Sequence, residues 1–131
     1  MTNPADVVRA YFAGVTAGDA DAVAGLFAPD AVLHNAAGTL HGAEAIGRMY
    51  KNGLSAAGMK PSPKPLVVDG EHVAVEIELD AGGSPVVLGD FFTIRDGLIH
   101  RLAIYSLTPT DGRMFNTVGV DPDTRKTAQD I

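Results

Sequence analysis

The chain contains no cysteine. That excludes a disulfide framework and any thiolate metal site. Basic residues are scarce: ten Lys and Arg stand against sixteen Asp and Glu, a formal charge of -6. Nucleic acid and anionic membrane surfaces both attract basic patches. Lys51, Lys60 and Lys64 do not make one, so neither is an expected partner. No apolar run approaches the roughly 18 residues of a spanning helix, and no signal-peptide pattern is read at the start, so a cytoplasmic protein is expected. Internal repeats and low-complexity segments are missing, as is a glycine-rich phosphate loop running from a strand into a helix. His34 and His41 lie across a loop with no carboxylate at ligand spacing, and no metal or other cofactor is expected. What remains is 131 residues, 46% of them apolar: one domain with enough chain to bury a core.

The stretch Ser84 to Ile94 (SPVVLGDFFTI) carries the most information. Read as a strand, it puts Val86, Leu88, Asp90, Phe92 and Ile94 on one face. Four of these are apolar, so the face should be buried with an acid on it. Such an acid is either paired or takes up a proton and stays neutral. A structural aspartate satisfied by backbone donors, or a strand shifted by one residue, would explain the pattern equally.

The rest of the chain gives that strand a setting. Asn3 and Pro4 are a cap and a first helical position, and Val7, Val8, Tyr11, Phe12 and Val15 form one stripe. Gly18 ends this helix and Asp19 caps a shorter second one, with Val23, Leu26 and Phe27 as its buried side and Pro29-Asp30 closing it. Ala31 to Asn35 reads as a strand, with Val32 and His34 on one face and Leu33 and Asn35 on the other. Ala36 to Gly42 reads as a loop. A third helix runs from about Ala43 to Leu54, turning Ile46, Met49, Tyr50 and Leu54 inward. Pro61, Pro63 and Pro65 mark an extended connector. Leu66 to Asp69 is a short strand, Glu71 to Leu79 an alternating one, and Asp80 to Gly83 a hairpin turn. After the turn at Arg95 to Gly97, Leu98 to Leu107 is the last strand. It puts His100, Leu102, Ile104 and Ser106 on one face and Ile99, Arg101, Ala103 and Tyr105 on the other. Glu76 and Glu78 read as a solvated or interface face. Helices followed by an antiparallel meander indicate an α+β domain over residues 1–108, with 109–131 as a loosely packed tail, Met114 and Phe115 docked.

The blocks VVRAYF, AGDADAVAGLFAPDAVL, HGAEAIGRMYKNGL and GDFFTIRDGLI, in this order and spacing, resemble the ketosteroid isomerase and SnoaL-like polyketide cyclase group of the nuclear-transport-factor-2-like superfamily. The resemblance covers roughly residues 4 to 107. It implies a cone-shaped half-barrel of curved, mostly antiparallel sheet closed by three helices around an apolar pocket. It also implies a homodimer through the outer sheet face, where Phe91 and Tyr105 would suit the contact. In ketosteroid isomerases a tyrosine of the first helix and a protonated aspartic acid of a late strand form an oxyanion hole, and a second tyrosine supports the first. Tyr11, Asp90 and Tyr50 fall at those positions. Phe27, Leu88, Phe92, Leu102, Ile104 and Ser106 would line the pocket around a small hydrophobic substrate. Amphipathic core tyrosines with satisfied hydroxyls are the structural alternative.

One position departs from the pattern. The isomerase's general base is an aspartate at the end of the first strand, and Asn35 stands there. An amide cannot shuttle a proton between carbon atoms. Another group could supply the base, and His100, if it faces the cavity, has a suitable ordinary pKa; a rim histidine without a role is the plainer reading. Alternatively, Asn35 positions substrate or water in a cyclisation or rearrangement of a polyketide-like or terpenoid substrate; the overall expectation is an isomerase or cyclase acting on a steroid-like or polyketide-like carbonyl compound. A third reading is a non-catalytic binder of planar hydrophobic molecules. Epoxide hydrolysis, which in the same superfamily uses an Arg between two carboxylates, ranks last, because the inward faces carry no Arg and no second acid.

Overall fold

The computed structural model of the chain describes residues 3–57, 60–80 and 85–107. Asn3 opens α1 (Pro4–Ala17): its side chain accepts from the Asp6 N–H at 2.9 Å, and Pro4 occupies a first-turn position that needs no N–H. The expected stripe from Val7 to Val15 is buried. Gly18, at φ 69°, ends the helix in the left-handed region, and Asp19 caps α2 (Ala20–Ala24) through the Ala22 N–H at 3.0 Å.

The second helix is shorter than expected, and Phe27 does not belong to it. Phe27 begins β1 (Phe27–Asn35), which runs parallel to β7 (Leu98–Ser106). The Leu26 carbonyl accepts from the Ile99 N–H at 2.8 Å, so pairing with the last strand draws this segment out of helical conformation. Pro29 and Asp30 sit within β1, where its register against β7 slips between Phe27 and Val32. An irregularity of this kind tolerates a residue without an N–H.

The segment expected as a loop contains β2 (Gly38–His41), antiparallel to β1. After α3 (Ala43–Ala57), the proline-marked connector holds a strand, β3 (Lys60–Pro63), at the sheet's edge. An edge strand can spare alternate N–H groups, so Pro61 and Pro63 fit there. β4 (Val67–Asp69), β5 (His72–Asp80) and β6 (Val86–Arg95) follow. Asp96 (φ 55°) and Gly97 (φ 76°) make the tight turn into β7, where two consecutive positive φ angles match the strand twist. The expected turn residues 81–83 and the tail 109–131, including the docking of Met114 and Phe115, lie outside the described residues.

The sheet order is β2-β1-β7-β6-β5-β3, with β4 also on β5. Its end strands do not pair with one another, leaving a curved, open, mostly antiparallel sheet. α1 packs against β3, β5 and β6, while α3 packs against β1 and β2. Among the described residues α1 and α3 therefore cover the inner face, in keeping with the α+β half-barrel expectation. α2 packs between the other two: a Cβ on Gly14 would lie 2.8 Å from Val23 Cγ2, and one on Gly47 3.2 Å from the Ala24 Cβ.

Candidate active site

Cross-strand partners share a face of a sheet, so its registers define rows across it. Val73, Phe92 and Leu102 form one inner row, joined on β1 by Leu33. Val75, Asp90 and Ile104 form the next, and Ile77, Leu88 and Ser106 the one after. Leu33 pairs with Leu102, which brings Asn35, two residues on, to the level of Ile104 and Asp90. Asp90 thus lies on the buried apolar face that strand alternation predicts, at 3% exposure. Its Oδ1 is fully buried and has no hydrogen-bond partner among the described residues. Burial alone pushes its carboxyl from 3.8 up to about 7, because the charged form loses water without gaining a partner.

Tyr11 of α1 and Tyr50 of α3 meet over this face, their hydroxyl oxygens 2.5 Å apart, and either can donate. Both are buried and held well above the usual tyrosine range, by loss of solvent first of all. The negative form of Asp90 raises both further, so the carboxyl and the two phenols share one electrostatic neighbourhood. Aromatic rings enclose the hydroxyl pair. Tyr11 packs edge-on against Phe12, Phe27, Tyr50 and Phe92, with ring centroids 5.1 to 6.3 Å apart. Phe27 thus lies beside both tyrosines, and it arrives there on a strand and not on the second helix. Its neighbour Phe12 went unremarked as a site residue, and its place on the Tyr11 stripe was the available signal.

Asn35 is half-buried at the end of β1. Its Oδ1 accepts from the Ala37 N–H at 3.0 Å, an Asx turn that shapes the passage into β2. Its Nδ2 points to Met49 Sδ at 3.9 Å. Neither contact was anticipated, although Asn followed by two small residues and Gly38 is a turn signal.

His100 is not on the inner face. The β6–β7 register shifts: Thr93 pairs with Arg101, but Ile94 pairs with Ile99. The extra residue is a β-bulge, which reverses the alternation expected for the start of β7. Ile99 is fully buried, and His100 instead lies in the field of Glu71, an exposed residue ion-paired to Arg95. His34 faces away from the site, as expected, with Nδ1 2.9 Å from Thr39 Oγ1. Arg101, paired with Val32 and Thr93, is outward, so the inner face here holds no Arg among the described residues. Leu88, Phe92 and Leu102 are buried around Asp90, whereas Ile104 and Ser106 are half-buried toward the end of β7. No group of three or more potential metal ligands occurs among the described residues.

The outer face is different. Phe91 and Tyr105 stack edge-on with ring centroids 5.5 Å apart and are 48% and 58% exposed. They border a concavity of about 490 Å³ that also takes in Val67, Ala74, Val87 and Leu107. It is separated from the Tyr11–Tyr50 pair by the thickness of the sheet.

With this geometry in place, the relationships of the chain are specific. Residues 8–102 match the SnoaL-like domain family, and the chain belongs to that family, within the nuclear-transport-factor-2-like superfamily. A protein from Sinorhizobium meliloti, described as a candidate polyketide cyclase, is 38% identical, with a TM-score of 0.70 over 76% of this chain and 93% of that one. A candidate ketosteroid isomerase from Kribbella flavida is 20% identical, with a TM-score of 0.72 over 81% of this chain and 78% of its own. An NTF2-like protein of unknown function from Cytophaga hutchinsonii is 14% identical, with a TM-score of 0.72 over 86% of this chain and 94% of its own. The last two likenesses are of fold alone. No curated protein matches the sequence. No helix among the described residues is long and apolar enough to cross a membrane.

Proposed function

We propose that the protein is an enzyme of isomerase or cyclase type that stabilises the enolate of a steroid-like or polyketide-like carbonyl compound. The observation that carries this reading is the buried, partnerless Oδ1 of Asp90 beside the Tyr11–Tyr50 pair. A buried polar atom left unsatisfied costs about 1–3 kcal/mol, a cost that a ligand atom can relieve. Protonated Asp90 and Tyr11 donate to the substrate oxygen as it gains charge. Tyr50 donates to Tyr11 and leaves the Tyr11 proton free for the substrate. Donors fixed in a dry site stabilise a developing oxyanion far better than water does. The substrate is a small hydrophobic molecule, in keeping with Leu88, Phe92, Leu102 and Ile104 around the acid.

Asn35 does not act as the base. Its oxygen is committed to Ala37, which favours a second reading, a binder of planar phenols or ketones that does no chemistry. Conjugated-enone formation from a Δ5-3-ketosteroid separates the two when measured for wild type, Asn35→Asp and Asn35→Asp/Asp90→Leu. Turnover by Asn35→Asp that is lost on adding Asp90→Leu supports the oxyanion hole. No turnover by any form, together with tight phenol binding, supports the binder.

The protein also self-associates in this reading, as a homodimer through the outer face around Phe91 and Tyr105. That arrangement leaves the inner face of each copy to its own substrate.

A further inference from the structure

The inner site leaves the outer face of the sheet unused. Strand pairing lays nine residues of that face out as a grid. His72, Thr93 and Arg101 form one row across β5, β6 and β7; Ala74, Phe91 and Ala103 form the next; Glu76, Gly89 and Tyr105 form the third. Phe91 stands at the centre. Its nearest neighbours Thr93, Ala74, Ala103 and Gly89 are small, and a Cβ on Gly89 would lie 3.6 Å from the Phe91 ring. The corners are large: Arg101 and Glu76 on one diagonal, His72 and Tyr105 on the other. At about 4.8 Å between strands and 3.4 Å per residue, the grid measures roughly 10 by 14 Å.

Arg101 and Glu76 are both exposed, and neither has an ion-pair partner among the described residues. Arg101 borders a hollow of about 430 Å³ together with Phe91 and Tyr105. Glu76 borders the concavity of about 490 Å³, which the same two rings edge, with Lys64 on its rim but off the grid. The edge-on Phe91–Tyr105 pair is therefore a ridge between a hollow edged by Arg101 and one edged by Glu76. The basic side extends onto β1: His34 is held below the usual histidine range by loss of solvent, and then by Arg101 and His41. The chain carries a formal charge of -6, so two copies repel unless their local charges oppose.

A dimer through this face has a two-fold axis lying in the contact plane, and each residue meets the partner residue that mirrors it across that axis. With Phe91 on the axis, the grid offers four settings. An axis along β6 sets Arg101 over the partner's His72 and leaves Glu76 over a phenol. An axis along the Arg101–Glu76 diagonal sets like charge over like charge at both ends. An axis along the middle row sets Arg101 over the partner's Tyr105 and Glu76 over the partner's His72. Only an axis along the His72–Tyr105 diagonal opposes the two full charges, Arg101 to the partner's Glu76, and symmetry makes that contact twice. We propose that two copies pack in this last setting, Phe91 against the partner's Phe91, with the reciprocal Arg101–Glu76 pairs fixing the register. This rests on the homodimer reading of the outer face and specifies it. The strands of the two copies then cross at about 70°, toward the orthogonal class of sheet packing. The aromatic ridge supplies the buried area, and the charges select one setting by penalising the others.

The test is sedimentation velocity over a concentration series for the full chain as wild type, Arg101→Glu, Glu76→Arg and Arg101→Glu/Glu76→Arg. Each single reversal sets like charges together twice and should raise the dimer dissociation constant about a hundredfold. The double variant restores opposition with the signs exchanged, and its dissociation constant should return close to that of wild type. Far-UV circular dichroism separates lost association from lost folding, and the double variant decides the case should a single one unfold. Single variants that dimerise as tightly as wild type, or a double variant no tighter than the singles, overturn the Arg101–Glu76 register. A monomeric wild type overturns the homodimer itself, so the two failures are distinguishable.

Discussion

Asp90 is buried with no hydrogen-bond partner for Oδ1 among the described residues, and the penalty for that burial depends on pH. Its carboxyl titrates at 3.8 ordinarily and at about 7 in the fold. Between those values the unfolded chain has released a proton that the native chain still holds. The stability from this difference is complete below about pH 4. It falls as pH rises and is lost once pH passes through about 7. The step corresponds to on the order of 4 kcal/mol. Asp90→Asn cannot ionise, so its melting temperature should stay nearly level from pH 5 to 8 while that of wild type declines. Thermal melts across that range check this. Tyr11→Phe should cost about 1–3 kcal/mol in urea unfolding, because the buried Tyr50 hydroxyl loses its partner. His100→Ala, remote from the inner face, should leave phenol affinity unchanged. At this scale the sequence was legible where a period carries the signal. Strand alternation alone put Asp90 on the buried face, and helical spacing put Tyr11 and Tyr50 inward. It was not legible where one extra residue resets the alternation. Nothing local in LIHRL announces the bulge that moves His100 outward. The Asx turn of Asn35 depends on where the Ala37 N–H points, which is a property of the folded hairpin.

Elements show the same division. The caps at Asn3 and Asp19, the left-handed stop at Gly18 and the Asp96-Gly97 turn each follow from short-range chemistry, and each is found. The exchange of Phe27 from helix to strand, and of the proline connector to β3, follow from partners far along the chain, β7 and β5. Local propensity could not reveal either. Helix packing yields a further expectation. Gly14 faces Val23 with no room for a side chain, whereas Gly47 faces only the Ala24 methyl at slightly greater distance. Gly14→Val should destabilise by about 1–3 kcal/mol through overpacking. Gly47→Ala should be near neutral, since the gain of about 1 kcal/mol in helix propensity offsets a small shift of Ala24. Chemical denaturation midpoints rank the two.

For the whole molecule, the two faces of one sheet differ in how they are covered. The inner face is closed by helices around the acid, while the outer leaves Val67, Phe91, Tyr105 and Leu107 between 48% and 78% exposed. Proteins rarely leave so much neighbouring apolar surface uncovered. Sedimentation velocity should find a dimer for wild type and a monomer for Phe91→Glu/Tyr105→Glu, with phenol affinity at the inner face retained. The overall architecture was readable because its helices and meander are strongly patterned. The parallel neighbour of β1 was not, since alternation within a strand says nothing about which strand lies beside it.

That parallel pairing makes the integrity of the sheet depend on segments far apart in the chain. β7, the last strand described, is the one that joins the β2–β1 hairpin to the β6-β5-β3 portion of the sheet. A nascent chain that has emerged only as far as Arg95 already carries Tyr11, Asn35, Tyr50 and Asp90, but nothing in the sheet connects β1 to β6. Until Leu98–Ser106 pairs, the facing edges of β1 and β6 lack their common neighbour and stay open to other chains. Contacts between such distant segments also slow folding, because a long loop must close before they form. The rows that carry Asn35 and Asp90 are therefore joined into one sheet only when β7 pairs with both β1 and β6.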